Sequence, residues 1–311
     1  MNEDLVYVTS YVNPDTDGVC SSLAYADFLS SQKHGRYQPV AFGRINAETK
    51  LVLEAFKMNL PISGFTMGAN HPIILVDTHH ARQLSNEVSL ARVVEILDHH
   101  PAGDDGLFPN AKIRNEEVGA VATMIAEKYK ESGVEPRRGI AGILAAAIIS
   151  NTLNFSTPST VQRDKEVFIW LSRYCNIDEK LVISMFETRS NISGRSTEEV
   201  VLSDYKEFVI QNKKIGIAQF ESTKPSTLLT RSDLEKVMRK LLSSMTLDYF
   251  ILNAVDIVRH ESFIYTPDEK SKELAVRALS GSFTGSTATF SRILLRKTDL
   301  VPRLKFAIET S

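Results

Sequence analysis

Cysteine is scarce in this 311-residue sequence, which contains only Cys20 and Cys175. Two cysteines are too few for a disulfide framework and are typical of a protein in a reducing compartment. We therefore interpret both as small buried hydrophobic residues and expect a cytoplasmic protein. The N-terminus also lacks a signal-peptide pattern, because Glu3 and Asp4 precede a short apolar segment and no basic region leads into a longer one.

Long apolar runs and an excess of positive charge are also missing. The longest uncharged stretch, residues 139–162, is strongly apolar only up to Ile149, which is too short to span a bilayer. The formal net charge is -2, and no cluster of aromatic and basic residues is present that would stack bases. We therefore expect neither a membrane nor a nucleic acid as partner, and a small molecule as the ligand.

The order of apolar segments predicts an α/β fold. With 311 residues, of which 43% are hydrophobic, the chain is long enough for two domains. Strand-like and helix-like segments alternate in the first half, as they do in a parallel sheet covered on both faces. The predicted strands are residues 5–8, 39–42, 72–76, 93–97 and 111–114, and later helices are 118–130, 138–150, 161–174 and 178–187.

A polar stretch divides the chain. We place a linker at residues 189–196, between a first domain of residues 1–188 and a smaller mixed α/β domain of residues 197–311. In the second domain we predict helices at 197–202 and 232–244 and strands at 208–211, 214–220 and 249–255. The expected active site lies in the cleft between the two domains.

Acidic residues and histidines follow three of the predicted strands. Asp15 and Asp17 lie in the loop after the first strand, Asp77 follows the third, and the triplet Asp98-His99-His100 follows the fourth. In α/β sheets, ligands bind at the carboxyl ends of the strands, so these side chains should meet at one edge. Carboxylate and imidazole groups suit Mn²⁺, Mg²⁺ or Zn²⁺. The sequence therefore predicts a divalent metal site.

Residues 13–17 (Asn-Pro-Asp-Thr-Asp), Asp77 and the triplet together resemble the DHH phosphoesterase superfamily, and most closely the manganese-dependent (family II) inorganic pyrophosphatases. The resemblance extends over nearly the whole chain. Further matching segments are residues 118–123, 148–155, 191–199, 204–208 and 215–219, and Arg296-Lys297 with Val301-Pro302. It implies a homodimer formed through the first domain and one or two divalent ions, with Mn²⁺ favoured and Mg²⁺ or Co²⁺ as alternatives.

The resemblance also implies the metal ligands. Asp15, Asp17, Asp77 and His99 match ligand positions of the family. At two further ligand positions the chain departs from it, because Tyr11 replaces an expected histidine and Asn151 an expected aspartate. A phenol, with a pKa of about 10, and a neutral amide are weaker ligands than imidazole and carboxylate. We therefore expect weaker metal binding or selection of another ion.

His79 and His80 also depart from the family pattern. Each could simply cap the turn that follows the strand. Alternatively, one of them replaces the missing imidazole, since both lie close to Asp77 in sequence. The sequence is compatible with both interpretations.

Four basic or imidazole side chains match the family's phosphate-binding positions: His100, Lys206, Arg296 and Lys297. Phosphoryl transfer needs positive charge around the phosphate oxygens, because charge stabilisation and alignment provide most of the catalysis. Arginine offers a planar fork of donors and lysine a point charge.

The resulting prediction is hydrolysis of inorganic pyrophosphate to two phosphates by a metal-activated water. Two alternatives remain. The substrate could be short polyphosphate or a nucleotide, or the protein could be a catalytically silent phosphate-binding homologue that has lost metal ligands. The oligoribonuclease and cyclic-dinucleotide branch is disfavoured, because residues 281–285 read Gly-Ser-Phe-Thr-Gly where that branch has a Gly-Gly-Gly-His type motif.

Overall fold

A computed structural model describes residues 5–32, 35–62, 67–68, 71–100 and 103–310, with the exception of the Lys297 side chain. The chain forms two compact units, Met1–Met185 and Phe186–Ser311. Among the described residues, no helix combines the length and the apolar character needed to cross a membrane. Both cysteines are buried and unpaired, as predicted.

The first unit contains a five-stranded parallel sheet with the strand order β2-β1-β3-β4-β5. This confirms the parallel sheet predicted from the alternating segments. Its elements are β1 (Leu5–Thr9), α1 (Thr16–Gln32), β2 (Arg36–Pro39), α2 (Ala47–Ala55), β3 (Ile73–Val76), β4 (Val93–Asp98), β5 (Lys112–Asn115), α3 (Val121–Glu131), α4 (Arg138–Asn151) and α5 (Gln162–Leu171). Helix α6 (Glu179–Arg189) begins in this unit and ends in the second.

Apolar residues explain why this sheet is buried. Every residue of β3 is buried, as expected for an apolar strand in the centre of a parallel sheet. Tyr7, Ile73, Leu75 and Phe108 belong to one hydrophobic cluster. Helices α1, α3 and α4 pack against one another, and the alanine-rich helix α4 is buried from Ile140 to Ser150.

The second strand differs from the prediction. We expected residues 39–42, but β2 is Arg36–Pro39, and Val40 only forms an isolated bridge to Ile62. β2 lies at the edge of the sheet and is only partly buried. An edge strand needs no apolar run, so the apolar residues after Pro39 gave a misleading signal.

The second unit is built on a six-stranded mixed sheet with the strand order β10-β11-β9-β8-β7-β6. Strands β7 and β8 are parallel and the other neighbours are antiparallel, which confirms the predicted mixed α/β unit. Its elements are α7 (Thr197–Leu202), β6 (Tyr205–Ile210), β7 (Lys213–Ser222), α8 (Ser226–Leu229), α9 (Leu234–Ser244), β8 (Tyr249–Asp256), β9 (Glu261–Tyr265), α10 (Glu269–Leu279), β10 (Phe283–Thr284), β11 (Thr287–Phe290), a π-helical turn (Arg296–Leu300) and α11 (Val301–Glu309).

Alternation along β7 divides the core of this unit into two layers. Ile215 and Ile217 pack in the cluster that includes residues of α10 and α11, whereas Ala218 and Phe220 pack in the cluster that includes residues of α7 and α9. Since successive side chains of a strand point to opposite faces, helices cover both faces of the sheet. The turn Arg296–Leu300 lies on the α10 and α11 side, because Leu300 belongs to that layer.

Candidate active site

The carboxyl ends of three neighbouring strands form the candidate site. Strands β1, β3 and β4 are adjacent in the sheet and parallel. Asp77 directly follows β3, and the triplet 98–100 begins with the last residue of β4. Ligand atoms of Asp77, Asp98, His99 and His100 all lie within 4.8 Å of one another. The structure thus brings together groups that are separated in sequence but were predicted to meet at this edge.

Asp17 is held by several hydrogen bonds from its own helix and from neighbouring helices. It is buried in the first turn of α1. The N–H groups of Val121 and Ala122 at the start of α3 donate to it at 2.7 and 3.0 Å, and Ser21 donates at 3.0 Å. Burial raises the pKa of Asp17 to about 6, although the charge of His99 and the backbone hydrogen bonds oppose that shift.

Asp77 is buried with its carboxylate unsatisfied. The residue is 1% exposed, and among the described residues neither of its oxygens has a hydrogen-bond partner. Nε2 of His99 lies 3.3 Å from Oδ1, close enough for charge pairing. Burial and the negative charges of Asp17 and Asp15 raise the pKa of Asp77 well above its ordinary value. The backbone of Asp77 has φ of 63°, a left-handed conformation that aspartate and asparagine tolerate better than most residues.

His99 has one ring nitrogen fixed and the other directed at the carboxylates. Its Nδ1 donates to the carbonyl oxygen of Val118 at 2.9 Å, which leaves Nε2 as the nitrogen able to hold a cation. Burial opposes the charged form of His99, but pairing with Asp77 and the charge of Asp17 prevail and raise its pKa to about 10.

Asn151 occupies the position between Asp17 and His99. Its Nδ2 donates to Asp17 Oδ2 at 3.3 Å and to the carbonyl oxygen of Gly119 at 3.0 Å, and it lies 3.4 Å from Nε2 of His99. Gly119 is required there, because a Cβ at this position would come within 2.5 Å of Thr152 and 2.7 Å of Asp164. The amide of Asn151 therefore acts as a hydrogen-bond donor at a position where the family resemblance predicts an anionic ligand.

Tyr11 and Asp15 meet in the loop after β1. The backbone N–H of Asp15 donates to the Tyr11 hydroxyl at 3.1 Å, and Asp15 Oδ1 accepts from the N–H of Gly18 at 3.1 Å. Burial is the main reason why the pKa of the Tyr11 phenol lies well above its ordinary value, and the negative charges of Asp15 and Asp77 also raise it. The hydroxyl therefore lies beside the carboxylates as a neutral group.

Asp98 organises the histidines around it. Fully buried, it accepts hydrogen bonds from Nδ1 of His79 and from Nδ1 of His100, the latter at 2.8 Å, and from the N–H of His99 at 2.7 Å. Burial alone would raise the pKa of Asp98, but the hydrogen bonds from His100 and His79 hold it at about 2. His100 is half-exposed, and its Nε2 is the nitrogen not used by Asp98.

The two histidines after Asp77 differ in their surroundings. His79 is buried, and its ring nitrogens face Asp98 and, at 3.6 Å, Asp105. His80 stacks on His79 with ring centroids 5.3 Å apart, and its ring lies 6.4 Å from that of His100. Both ring nitrogens of His79 thus face the carboxylates of Asp98 and Asp105, and the hypothesis of a replacement imidazole now concerns His80.

The second unit holds the other predicted phosphate ligands. Lys206 lies in β6 opposite Ile217 of β7, and Nη1 of Arg296 approaches the carbonyl oxygen of the same Ile217 at 3.4 Å, so Ile217 is a neighbour of both residues. Arg296 is 6% exposed and donates from Nη2 to Asp204 at 2.5 Å. The side chain of Lys297 lies outside the part of the chain that the structure describes.

One residue of the site was not predicted, and the role of another was not. Asp98 belongs to the predicted triplet, but nothing in the sequence indicates that it is the common acceptor for His79 and His100. Asp204 belongs to the matching segment 204–208, but it is 92 residues from Arg296 in sequence, and no local pattern links them.

The donor set of the first unit fits a divalent cation. A buried carboxylate without hydrogen-bond partners is costly unless positive charge compensates it. Asp77 has His99 at 3.3 Å as a charge partner, but the negative charges of Asp17 and Asp15 also act on it, so a divalent cation would balance the group better than one imidazole. Carboxylate oxygens with one imidazole nitrogen are hard-to-borderline ligands of the type that Mn²⁺ and Mg²⁺ accept.

The parallel sheet, the aspartates at its strand ends and the Asp-His-His triplet, followed by a mixed α/β unit, define a phosphoesterase of the DHH class. The family model for the DHH family, N-terminal domain, matches residues 5–148, and the model for the DHHA2 domain matches residues 183–307. The two models together account for most of the chain.

The comparisons with individual proteins are more specific. The chain is 34% identical to a probable manganese-dependent inorganic pyrophosphatase of Clostridium acetobutylicum over 99% of both chains. It is 32% identical to the manganese-dependent inorganic pyrophosphatase of Methanothrix thermoacetophila, over 98% of this chain and 99% of that one. The chain belongs to the family of manganese-dependent inorganic pyrophosphatases. A crystal structure from Methanococcus jannaschii assigned to family II inorganic pyrophosphatases superposes with a TM-score of 0.69 and 28% identity, covering 98% of this chain and 99% of the other.

Proposed function

We propose that the protein hydrolyses inorganic pyrophosphate to two phosphates with the help of a divalent cation, Mn²⁺ in the first place. The observation that carries this proposal is the buried Asp77 carboxylate, which has no hydrogen-bond partner among the described residues and lies 3.3 Å from His99. Family membership over the whole chain supports pyrophosphate as the substrate.

Asp15, Asp17, Asp77 and His99 would hold the cation, with Asn151 and Tyr11 as neutral neighbours. A bound divalent cation supplies positive charge to the phosphate oxygens and lowers the pKa of water. The protein contributes the fixed orientation of these ligands. Asp17 is held by the N–H groups at the start of α3, and His99 presents Nε2 because Nδ1 is bound to a carbonyl oxygen.

The phosphate groups would be bound by His100, Lys206, Arg296 and Lys297. His100 is half-exposed, and Asp98 fixes the orientation of its ring by accepting from Nδ1. Because the charge on the oxygens grows as the phosphoanhydride bond breaks, donors that are fixed beforehand stabilise the transition state.

Phosphate release from pyrophosphate tests this proposal. The purified protein is treated with a chelator, and Mn²⁺, Mg²⁺ or Co²⁺ is then added. Asp77→Asn is the informative variant, because asparagine tolerates the left-handed backbone of this position and removes only the charge. Asp178→Asn is the matched control, since Asp178 is exposed and caps α6, where asparagine also serves.

We expect release with Mn²⁺, a loss of at least about a hundredfold in Asp77→Asn and no change in the control. No hydrolysis of pyrophosphate with any of the three ions would refute the proposal. In that case tripolyphosphate and a nucleoside triphosphate would be tested as substrates, and calorimetry with pyrophosphate would show whether the protein only binds phosphate compounds.

We further propose that the protein acts as a homodimer in the cytoplasm. The dimer rests on the family resemblance, and the compartment on two buried, unpaired cysteines, which suit a reducing environment. Light scattering coupled to size-exclusion chromatography would measure the oligomeric state, and a mass of one chain would contradict the dimer.

A further inference from the structure

Arg296 directs both terminal nitrogens of its guanidinium at Asp204, and Nη1 also makes a longer contact of 3.4 Å with the carbonyl oxygen of Ile217. Nη1 donates to the backbone carbonyl oxygen of Asp204 at 2.6 Å, and Nη2 donates to Oδ1 of the same residue at 2.5 Å. Both Nη groups therefore face Asp204, and Arg296 itself is 94% buried, with 6% of its surface exposed. A guanidinium with both terminal nitrogens bound to one residue has little freedom to rotate.

The other side of the guanidinium is a second fork, formed by Nε–H and the remaining N–H of Nη2. The Nε atom is buried and has no acceptor among the described residues. A buried donor in this state costs free energy, which an incoming oxygen would remove. The spacing of the two N–H groups on one side of a guanidinium matches two oxygens of one phosphate.

The backbone around Arg296 is fixed by two neighbouring strands. The side chain of Gln219 in β7 accepts from the N–H of Arg296 at 2.9 Å, and the amide of Asn253 in β8 donates to the carbonyl oxygen of Leu294 at 2.6 Å. Gln219 and Asn253 are partners in the register of these parallel strands. Main chain and side chain are thus anchored to the same sheet.

We propose that Asp204 is a positioning residue, which holds the end of the Arg296 guanidinium so that its Nε and Nη2 side receives one phosphate group of the substrate. Asp204 itself does not touch the phosphate. This inference rests on the proposed function, because it assigns Arg296 to the phosphate of that reaction. The inference gives a role to Asp204, a residue that is needed neither for the strand pattern nor for the metal site.

A double-mutant cycle tests this role. The variants are Asp204→Ala, Asp204→Asn, Arg296→Ala and the double variant with alanine at both positions, and Arg303→Ala on the exposed surface of α11 is the control. Loss of a hydrogen bond to a charged group should lower kcat/KM for pyrophosphate about tenfold or more in Asp204→Ala. Asp204→Asn keeps an oxygen acceptor and should stay within about threefold of the parent protein.

If Asp204 acts by positioning Arg296, the effect of Asp204→Ala should disappear when Arg296 is absent, whereas a general structural effect should remain. In the Arg296→Ala background, Asp204→Ala should change kcat/KM by less than about twofold. An equal loss in both backgrounds, an unchanged or improved kcat/KM in Asp204→Ala, or no rescue by Asp204→Asn would each overturn the proposal. Should Asp204→Ala fail to fold, Asp204→Ser replaces it in the same cycle.

Failure of the proposed function can be told apart from failure of the positioning role, because a protein that does not hydrolyse pyrophosphate shows this already in its parent form. If the parent does not hydrolyse pyrophosphate, the same cycle is measured as the dissociation constant of pyrophosphate by calorimetry. A tenfold weakening that depends on Arg296 would then support the positioning role without catalysis, and equal binding by all variants would refute it.

Discussion

Replacing Asn151 by aspartate should destabilise the metal-free protein and strengthen cation binding. The amide of Asn151 now donates to Asp17 at 3.3 Å and to the carbonyl oxygen of Gly119 at 3.0 Å. A carboxylate in the same place cannot donate to either oxygen and adds a negative charge beside a buried one. It would also supply the anionic ligand that the family resemblance predicts at this position.

The magnitude follows from the distance and from the pKa of Asp17. Two charges 3.3 Å apart repel by about 5 kcal/mol at an effective dielectric constant of about 20. Proton uptake limits this cost, because Asp17 has a pKa of about 6. Keeping Asp17 protonated at pH 8 costs about 2.7 kcal/mol. Because protonation removes the repulsion, the repulsion cannot destabilise the protein by more than this amount. The lost hydrogen bonds add about 1–2 kcal/mol, and attraction to the protonated ring of His99, whose Nε2 lies 3.4 Å from the Asn151 amide, offsets about as much, so we expect about 2–3 kcal/mol at pH 8.

At pH 6 the proton on Asp17 is nearly free of cost, so the destabilisation should be about 2 kcal/mol smaller than at pH 8. Urea unfolding of the chelator-treated Asn151→Asp variant at both pH values measures this difference, with Asn176→Asp on the exposed surface as the matched control. Titration with Mn²⁺ should show affinity increased by roughly tenfold or more. Equal destabilisation at pH 6 and pH 8, or weaker Mn²⁺ binding than in the parent, would refute the reasoning.

Three further predictions concern the same unit. Tyr11→His should tighten Mn²⁺ binding about tenfold or more, because imidazole replaces a phenol that burial keeps neutral; unchanged affinity in a calorimetric titration would contradict this. The apparent affinity for Mn²⁺ should rise at least about tenfold per pH unit between about pH 6 and pH 9, because His99, with a pKa of about 10, must release its proton to bind the ion, and Asp77, whose pKa is also raised, must release any proton it holds; titrations in buffers of different ionisation enthalpy measure the released protons, and a flat pH dependence would exclude it. Asp164→Ala should lower the free energy of unfolding by about 3 kcal/mol, because the buried carboxylate accepts from the N–H of Gly119 and the hydroxyl of Thr123; a loss no larger than that of Asp178→Asn would argue against this role.

The site in the first unit could be predicted because it follows from the geometry of a parallel sheet. Strands that end in aspartate or histidine place those groups at one edge whenever the strands are neighbours, and β1, β3 and β4 are neighbours here. Each strand was recognisable as an apolar run, so Asp77 and the triplet 98–100 could be placed without knowledge of any contact.

Other contacts depend on the tertiary structure and leave no local pattern. Arg296 and Asp204 come from two ends of the second unit, and only the folded sheet brings them together. The pairing of His79 with Asp98 likewise joins the ends of two strands. The position of β2 was misjudged for a different reason, because its polar residues lie at a sheet edge, where burial does not select apolar side chains.

The two departures from the ligands that the family resemblance implies act in the same direction. A metal-free site with three aspartates and one imidazole already holds excess negative charge, which burial penalises. Asn151 reduces that penalty, because it donates a hydrogen bond to Asp17 where a carboxylate would repel it. Tyr11 adds no charge and accepts a hydrogen bond from the backbone of Asp15. Both residues therefore stabilise the metal-free protein at the expense of cation affinity. We expect this chain to need a higher concentration of free Mn²⁺ for half-maximal activity than a relative that carries histidine and aspartate at these two positions.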